Sequence, residues 1–148
     1  MPHNNGSQAL DRQECLRLLA KVPVGRIVYT RQALPAVLPV NFSLDPSLGL
    51  SPDTDSCVLL RTSADSDLAR SVDGVVVAFE ADEFDADAES GWSVVVTGRA
   101  AVVTDPAEHE RLLQTGPRSW VTAQDAVFVR ISCEMVTGRR IGQATDLR

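Results

Sequence analysis

Histidine is nearly absent from this chain of 148 residues: the two copies are His3, in a polar N-terminal stretch, and His109, in a segment that reads as an exposed helix face. No Ser-His-Asp arrangement, HExxH motif, P-loop or GxGxxG occurs, so catalysis by a histidine base or a zinc ion is not expected. Redox or transfer chemistry would have to come from a bound cofactor. Cysteine is also sparse. Cys15, Cys57 and Cys133 form an odd, widely spaced set without a CxxC pair, which excludes a zinc ribbon or a redox disulfide and reads as three buried thiols. No apolar run approaches the roughly 20 residues of a membrane span, and Met1–Gln8 lacks an apolar signal core, so a cytoplasmic protein with no membrane partner is expected. Positive charge is in deficit, 14 Lys and Arg against 20 Asp and Glu, for a net charge of -6. Such a chain repels phosphate backbones, so no nucleic-acid role is expected, although a local basic pocket can still take a small phosphorylated ligand. The acidic run Glu80–Glu89 lacks the glycine and the ligand spacing of a calcium loop. It reads as a solvated loop, and no metal site is expected.

What is present is a 44% hydrophobic composition, enough for one domain with its own core. A polar tail over 1–9 is expected to be disordered, followed by a domain over 10–142 and a C-terminal tail over 143–148. Asp11 and Glu14 can open a helix whose stripe is Cys15, Leu16, Leu18 and Leu19, and Val22-Pro23 stops it. Strands are predicted over 25–30, 35–43, 57–62, 75–81, 91–103, 126–132 and 134–141. Pro39 implies an edge position or a bulge, and Gly98 a bend or a bulge. A short helix is predicted over 67–72. A second is predicted from Asp105-Pro106 to Thr115, closed by Gly116-Pro117. Loops fall at 45–56 and 82–89. Strands dominate and the turns are short, so antiparallel pairing and barrel closure are preferred over a parallel βαβ sheet.

Four places could carry chemistry. Arg61-Thr62-Ser63 ends a strand before a short helix, a combination of guanidinium and hydroxyls suited to a phosphate; Ser63 or Asp65 could instead serve only as a helix cap. Pro39-Val40-Asn41-Phe42 is a strand with an amide that can pair with a heterocycle edge, or a plain strand. Trp92, in Gly91-Trp92-Ser93, could stack on a planar ligand or pack in a core or interface. Trp120, beyond Gly116-Pro117, is the fourth.

Taken in order, Gly25–Thr30, Leu38-Pro39-Val40-Asn41-Phe42, Leu60-Arg61-Thr62-Ser63, Val77–Glu80, Gly91–Ala100 and Val136–Ile141 resemble the pyridoxamine 5'-phosphate oxidase-like family, in its small flavin-binding branch. The resemblance covers about residues 10–142. It implies a mainly β (α+β) fold, a six-stranded antiparallel split β-barrel with short flanking helices. It also implies a homodimer with FMN in the groove between subunits and a small-molecule ligand. Pro39, Val40, Asn41 and Phe42 would border the isoalloxazine. Arg61, Thr62 and Ser63 would face the ribityl chain and phosphate. Trp92 and Ser93 would come from the partner chain. Relatives carry a lysine where this chain has Asp67, in Asp65-Ser66-Asp67-Leu68. A carboxylate beside a phosphate repels it by a few kcal/mol, unless Arg70 offsets it or Asp67 turns to solvent. The resemblance thus points to an FMN-dependent oxidoreductase. The alternatives are a non-catalytic binding protein with weakened or lost FMN binding, or one that takes a deazaflavin; haem lacks a well-placed histidine.

Overall fold

The structure is a computed structural model and describes residues 7–45, 56–120 and 125–142. In chain order it comprises β1 (Ser7–Leu10), α1 (Arg12–Leu19), β2 (Val24–Arg31), β3 (Leu34–Asp45), β4 (Cys57–Ser63) and α2 (Asp67–Val72). There follow β5 (Val76–Asp85), β6 (Ser90–Val102), α3 (Pro106–Thr115), β7 (Ala126–Ser132) and β8 (Met135–Ile141). Every strand pairing is antiparallel. Six strands form a ring in the order β6, β5, β2, β3, β4, β7 and back to β6, while β8 pairs with β6 outside the ring and β1 pairs with the far edge of β8. The expected split-barrel architecture is present, with two strands added to its ring of six.

Local sequence explains most of these elements. Asp11 accepts a hydrogen bond from the Glu14 N–H at 2.8 Å, and Asp105 one from the Glu108 N–H at 3.0 Å, so both predicted caps form. The run Cys57-Val58-Leu59-Leu60 is buried throughout because β4 is covered on both faces. Val58 and Leu60 pack inside the ring with Ile27, Phe79 and Val94. Cys57 and Leu59 pack outward with Leu112 of α3 and with Phe128. All three cysteines are free and buried, and burial pushes the Cys133 thiol up to about 11, so none is a ready nucleophile.

Three expectations need correction. Residues 7–9, assigned to a disordered tail, form β1, and Ser7 pairs with Ile141. Their polar sequence carries no alternation; the ladder is supplied by β8. The acidic loop at 82–89 is mostly hairpin, with β5 continuing to Asp85 and β6 starting at Ser90. The α2 cap is Ser66, whose hydroxyl accepts from the Ala69 N–H at 3.0 Å, and not Ser63 or Asp65. Residues 1–6, 46–55 and 143–148, covering most of the expected tails and of the 45–56 loop, lie outside the described residues. Asp45 itself closes β3, buried, 3.0 Å from Arg111.

The split has a structural origin in β6. One edge of β6 pairs with β5 from Ser90 to Arg99. The other edge pairs with β8 from Gly91 to Thr97, then with β7 from Ala100 to Val102. Gly98 sits at the changeover, where an added Cβ would lie 1.8 Å from the Ser132 carbonyl oxygen.

Candidate functional site

A strand has two edges, and β3 and β4 share theirs only briefly. Their ladder runs from Asp45↔Cys57 to Phe42↔Leu60 and stops. Beyond that point β3 continues along β2, with Asn41 opposite Val24 and Pro39 opposite Arg26. Strand β4 instead continues along β7, with Arg61 opposite Phe128 and Ser63 opposite Ala126. The two strands diverge like the arms of a fork, leaving facing backbone edges without a ladder. Proline at 35 and 39 suits such an edge, because it has no N–H to contribute to a ladder.

The fork holds a groove of about 450 Å³, within the range of small-molecule sites. Its β3 arm contributes Leu38, Pro39, Val40 and Asn41, its β4 arm Arg61, Thr62 and Ser63, and β2 contributes Val24. Ser119 and Trp120, from the segment between α3 and β7, line it as well. Arg61 is the one charged side chain among the described lining residues. Its guanidinium lies 5.5 Å from the Phe128 ring centroid, and one terminal nitrogen donates to the Pro117 carbonyl at 3.4 Å. Its Nε is buried with no hydrogen-bond partner among the described residues. The Thr62 hydroxyl donates to the Ser66 hydroxyl at 3.1 Å and the Ser63 hydroxyl to Asp65 at 2.9 Å, so both serve the start of α2. Arg70 turns back to the Asp65 carbonyl at 2.6 Å.

Seven of the residues singled out from sequence thus meet in one groove: Pro39, Val40, Asn41, Arg61, Thr62, Ser63 and Trp120. Phe42 does not line it. Its side chain points into the ring and meets Phe79 edge to face at 4.7 Å between centroids. Trp92 is 4% exposed and packs in the core of its own chain, so its ring is not presented to a partner in the way the resemblance implied. Ser93 lies opposite Asp82 and Arg139, in the sheet away from the groove lining. Asp67 is also outside the lining, and its carboxylate is held 2.9 Å from Arg31 Nε. The opposing charge on Asp67 is therefore already paired. Ser119 carried no signal in the sequence. Trp120 carried a faint one, as an aromatic beyond a helix-ending Gly-Pro.

One ionisable pair lies beside Ser93 in the sheet. Glu80 and Asp82 share Arg26, at 3.0 and 3.3 Å. Burial, then the neighbouring Asp82 carboxylate, pushes Glu80 up to about 7, against the pull of Arg26. A raised folded-state value favours the protonated form in the fold. The contribution of Glu80 to stability is therefore fully present below its ordinary value and is lost as pH rises through about 7. Glu80→Gln should melt higher than the unsubstituted protein at about pH 8 and level with it at about pH 4, by thermal denaturation at both.

Among the described residues no cluster of His, Cys, Asp and Glu could hold a metal ion, and no helix is long and apolar enough to cross a membrane. The chain is 46% identical over 138 residues to the uncharacterised protein Rv0080 of Mycobacterium tuberculosis (strain ATCC 25618 / H37Rv), covering 89% of this chain and 84% of that one. Its fold matches the FAD binding protein from Mycobacterium smegmatis with a TM-score of 0.74 at 32% identity, over 92% of this chain and 99% of that one. It matches a conserved protein of unknown function from Corynebacterium diphtheriae, DIP1874, with a TM-score of 0.75 at 33% identity, over 92% and 98% of the two chains. A family model, pyridoxamine 5'-phosphate oxidase, matches residues 11–140, from the cap of α1 into β8 and across both arms of the fork. On that match the chain belongs to the pyridoxamine 5'-phosphate oxidase family.

Proposed function

We propose that this protein binds FMN in the groove of the fork and works as a flavin-dependent oxidoreductase on a small molecule. The observation that carries the reading is Arg61, the one charged side chain among the described lining residues of the groove. Its guanidinium has terminal donors besides the one spent on the Pro117 carbonyl, and a phosphate oxygen can accept from them. The rest of the lining fits the same ligand. Leu38, Pro39, Val40 and Val24 give an apolar wall for a planar ring. Asn41 offers an amide to a ring edge, and Thr62 and Ser63 add hydroxyls beside Arg61.

A bound flavin supplies hydride transfer, which fits a groove with no His, Cys, Asp, Glu, Lys or Tyr among its described lining residues. The chain's own residues would anchor the phosphate, align the ring and keep water from one face of it. The exposed apolar side chains Leu34, Val37 and Leu38 line β3 next to the groove and support a homodimer that covers this strand. A cytoplasmic location accords with this reading.

Titrating purified protein with FMN, and following the flavin's visible absorption and fluorescence, tests the proposal; absence of binding rejects it. The name of the Mycobacterium smegmatis neighbour favours FAD as a second reading. A parallel FAD titration separates the two, since a groove suited to the mononucleotide should not bind FAD more tightly. Asp67 gives a further expected result. Because its charge is paired with Arg31 outside the lining, Asp67→Asn should leave FMN affinity within about twofold and stability within about 1 kcal/mol. A much larger gain in affinity would restore the repulsion argument.

A further inference from the structure

The groove is closed on one side by a short strap, the segment from Pro117 to Trp120 that follows α3. Two side chains tie it down, one from each arm of the fork. Asn41 Oδ1 accepts from the Trp120 backbone N–H at 3.0 Å, and Arg61 donates to the Pro117 carbonyl at 3.4 Å. The backbone at Trp120 is therefore anchored to the groove, while its side chain is not packed: Trp120 is 72% exposed, more than any other large apolar residue described. The residue nonetheless lines the groove together with Leu38 and Pro39. A large planar side chain with an anchored backbone and a mostly exposed surface is suited to receive another planar group.

We propose that Trp120 is a stacking platform for the planar ring of the ligand in this groove. The inference rests on the flavin reading above and adds to it the residue that grips the ring, as distinct from the phosphate. Asn41 then acts on the ligand partly through Trp120, by holding the strap at the height of the ring.

The test uses the full chain, two variants and two probes. Trp120→Ala should weaken FMN and riboflavin alike, each by about tenfold, because both carry the ring. Trp120→Phe should recover most of that loss, since a smaller aromatic face remains. Sedimentation of Trp120→Ala should match the unsubstituted protein. Unchanged affinity of Trp120→Ala for both probes overturns the inference while leaving the flavin reading intact. So does a loss confined to FMN, which would move Trp120 to the phosphate end. A variant that dissociates and loses binding in step also overturns it, because Trp120 would then be an interface residue. If the unsubstituted protein binds neither probe, the flavin reading fails together with the inference.

Discussion

Arg61→Gln is expected to lower FMN affinity about a hundredfold and to leave riboflavin affinity nearly unchanged. Charge-assisted hydrogen bonds contribute about 1.5–3 kcal/mol each, and one Arg–phosphate pair at the upper end of that range accounts for two orders of magnitude. Riboflavin has the ring but not the phosphate, so it reports whether the groove has otherwise survived. Some stability should be lost as well, because Arg61 also lies over Phe128 and holds the Pro117 carbonyl. That cost is about 1 kcal/mol, a few degrees in melting temperature, too little to empty the folded state. Arg61→Lys should recover part of the affinity: it restores the charge but not the forked donors. Isothermal titration with the two ligands decides the matter. If FMN affinity falls less than about threefold, the phosphate does not lie at Arg61, and the ligand is turned end for end or lies elsewhere.

The largest effect on stability is expected at Gly98. Its added Cβ would fall 1.8 Å from the Ser132 carbonyl oxygen, a backbone atom that cannot swing aside. Gly98→Ala must therefore part β6 from the end of β7 at the place where β6 changes partners. Overpacking of this kind typically costs about 1–3 kcal/mol, and here the obstacle is backbone, so a loss of about 3 kcal/mol or more is expected. In a chain of this size that lowers the melting temperature by about 10 °C. Gly74→Ala is the control. Gly74 has φ of +79° but nothing within 4 Å of an added Cβ, so it should cost only the backbone strain, about 1–2 kcal/mol. Thermal melts of the two variants should rank them in that order. A Gly98→Ala protein as stable as Gly74→Ala would mean that β6 and β7 are not held together at the changeover.

Much of this architecture is written locally. The caps at Asp11 and Asp105 depend on a side chain reaching a backbone N–H three residues away, a contact the sequence itself brings within range. The apolar run of β4 shows that the strand is buried on both faces, and the Gly116-Pro117 stop places the end of α3 within a residue. Gly91-Trp92-Ser93 combined with Pro39-Val40-Asn41-Phe42 is specific enough to point to the family. The site was legible in part for the same reason. Asn41 and Arg61 are polar residues set within otherwise apolar stretches of strand, which marks them as positions that reach a surface where a ligand can be met.

Other features could not be read this way. Strand β1 exists because β8 offers it an edge, and nothing within Ser7–Leu10 announces it. Trp92 is as aromatic and as close to Gly as a ligand-stacking residue would be, yet the ring of strands buries it. Trp120, with less to recommend it, is brought to the groove by a hydrogen bond spanning 79 positions. Asp67 looked like an obstacle to a phosphate until the chain placed Arg31 beside it. By itself, then, the sequence determined the three helices, the core of every strand but β1, and the family they belong to; it did not determine β1 or how far β5 and β6 run into the acidic stretch. Only the tertiary structure decided that β3 and β4 part after Phe42 and Leu60 and leave a groove between them. The physical reason is that periodicity and capping act over a few residues. The choice of partner for each strand edge depends on burial and hydrogen bonding among segments that the sequence keeps far apart.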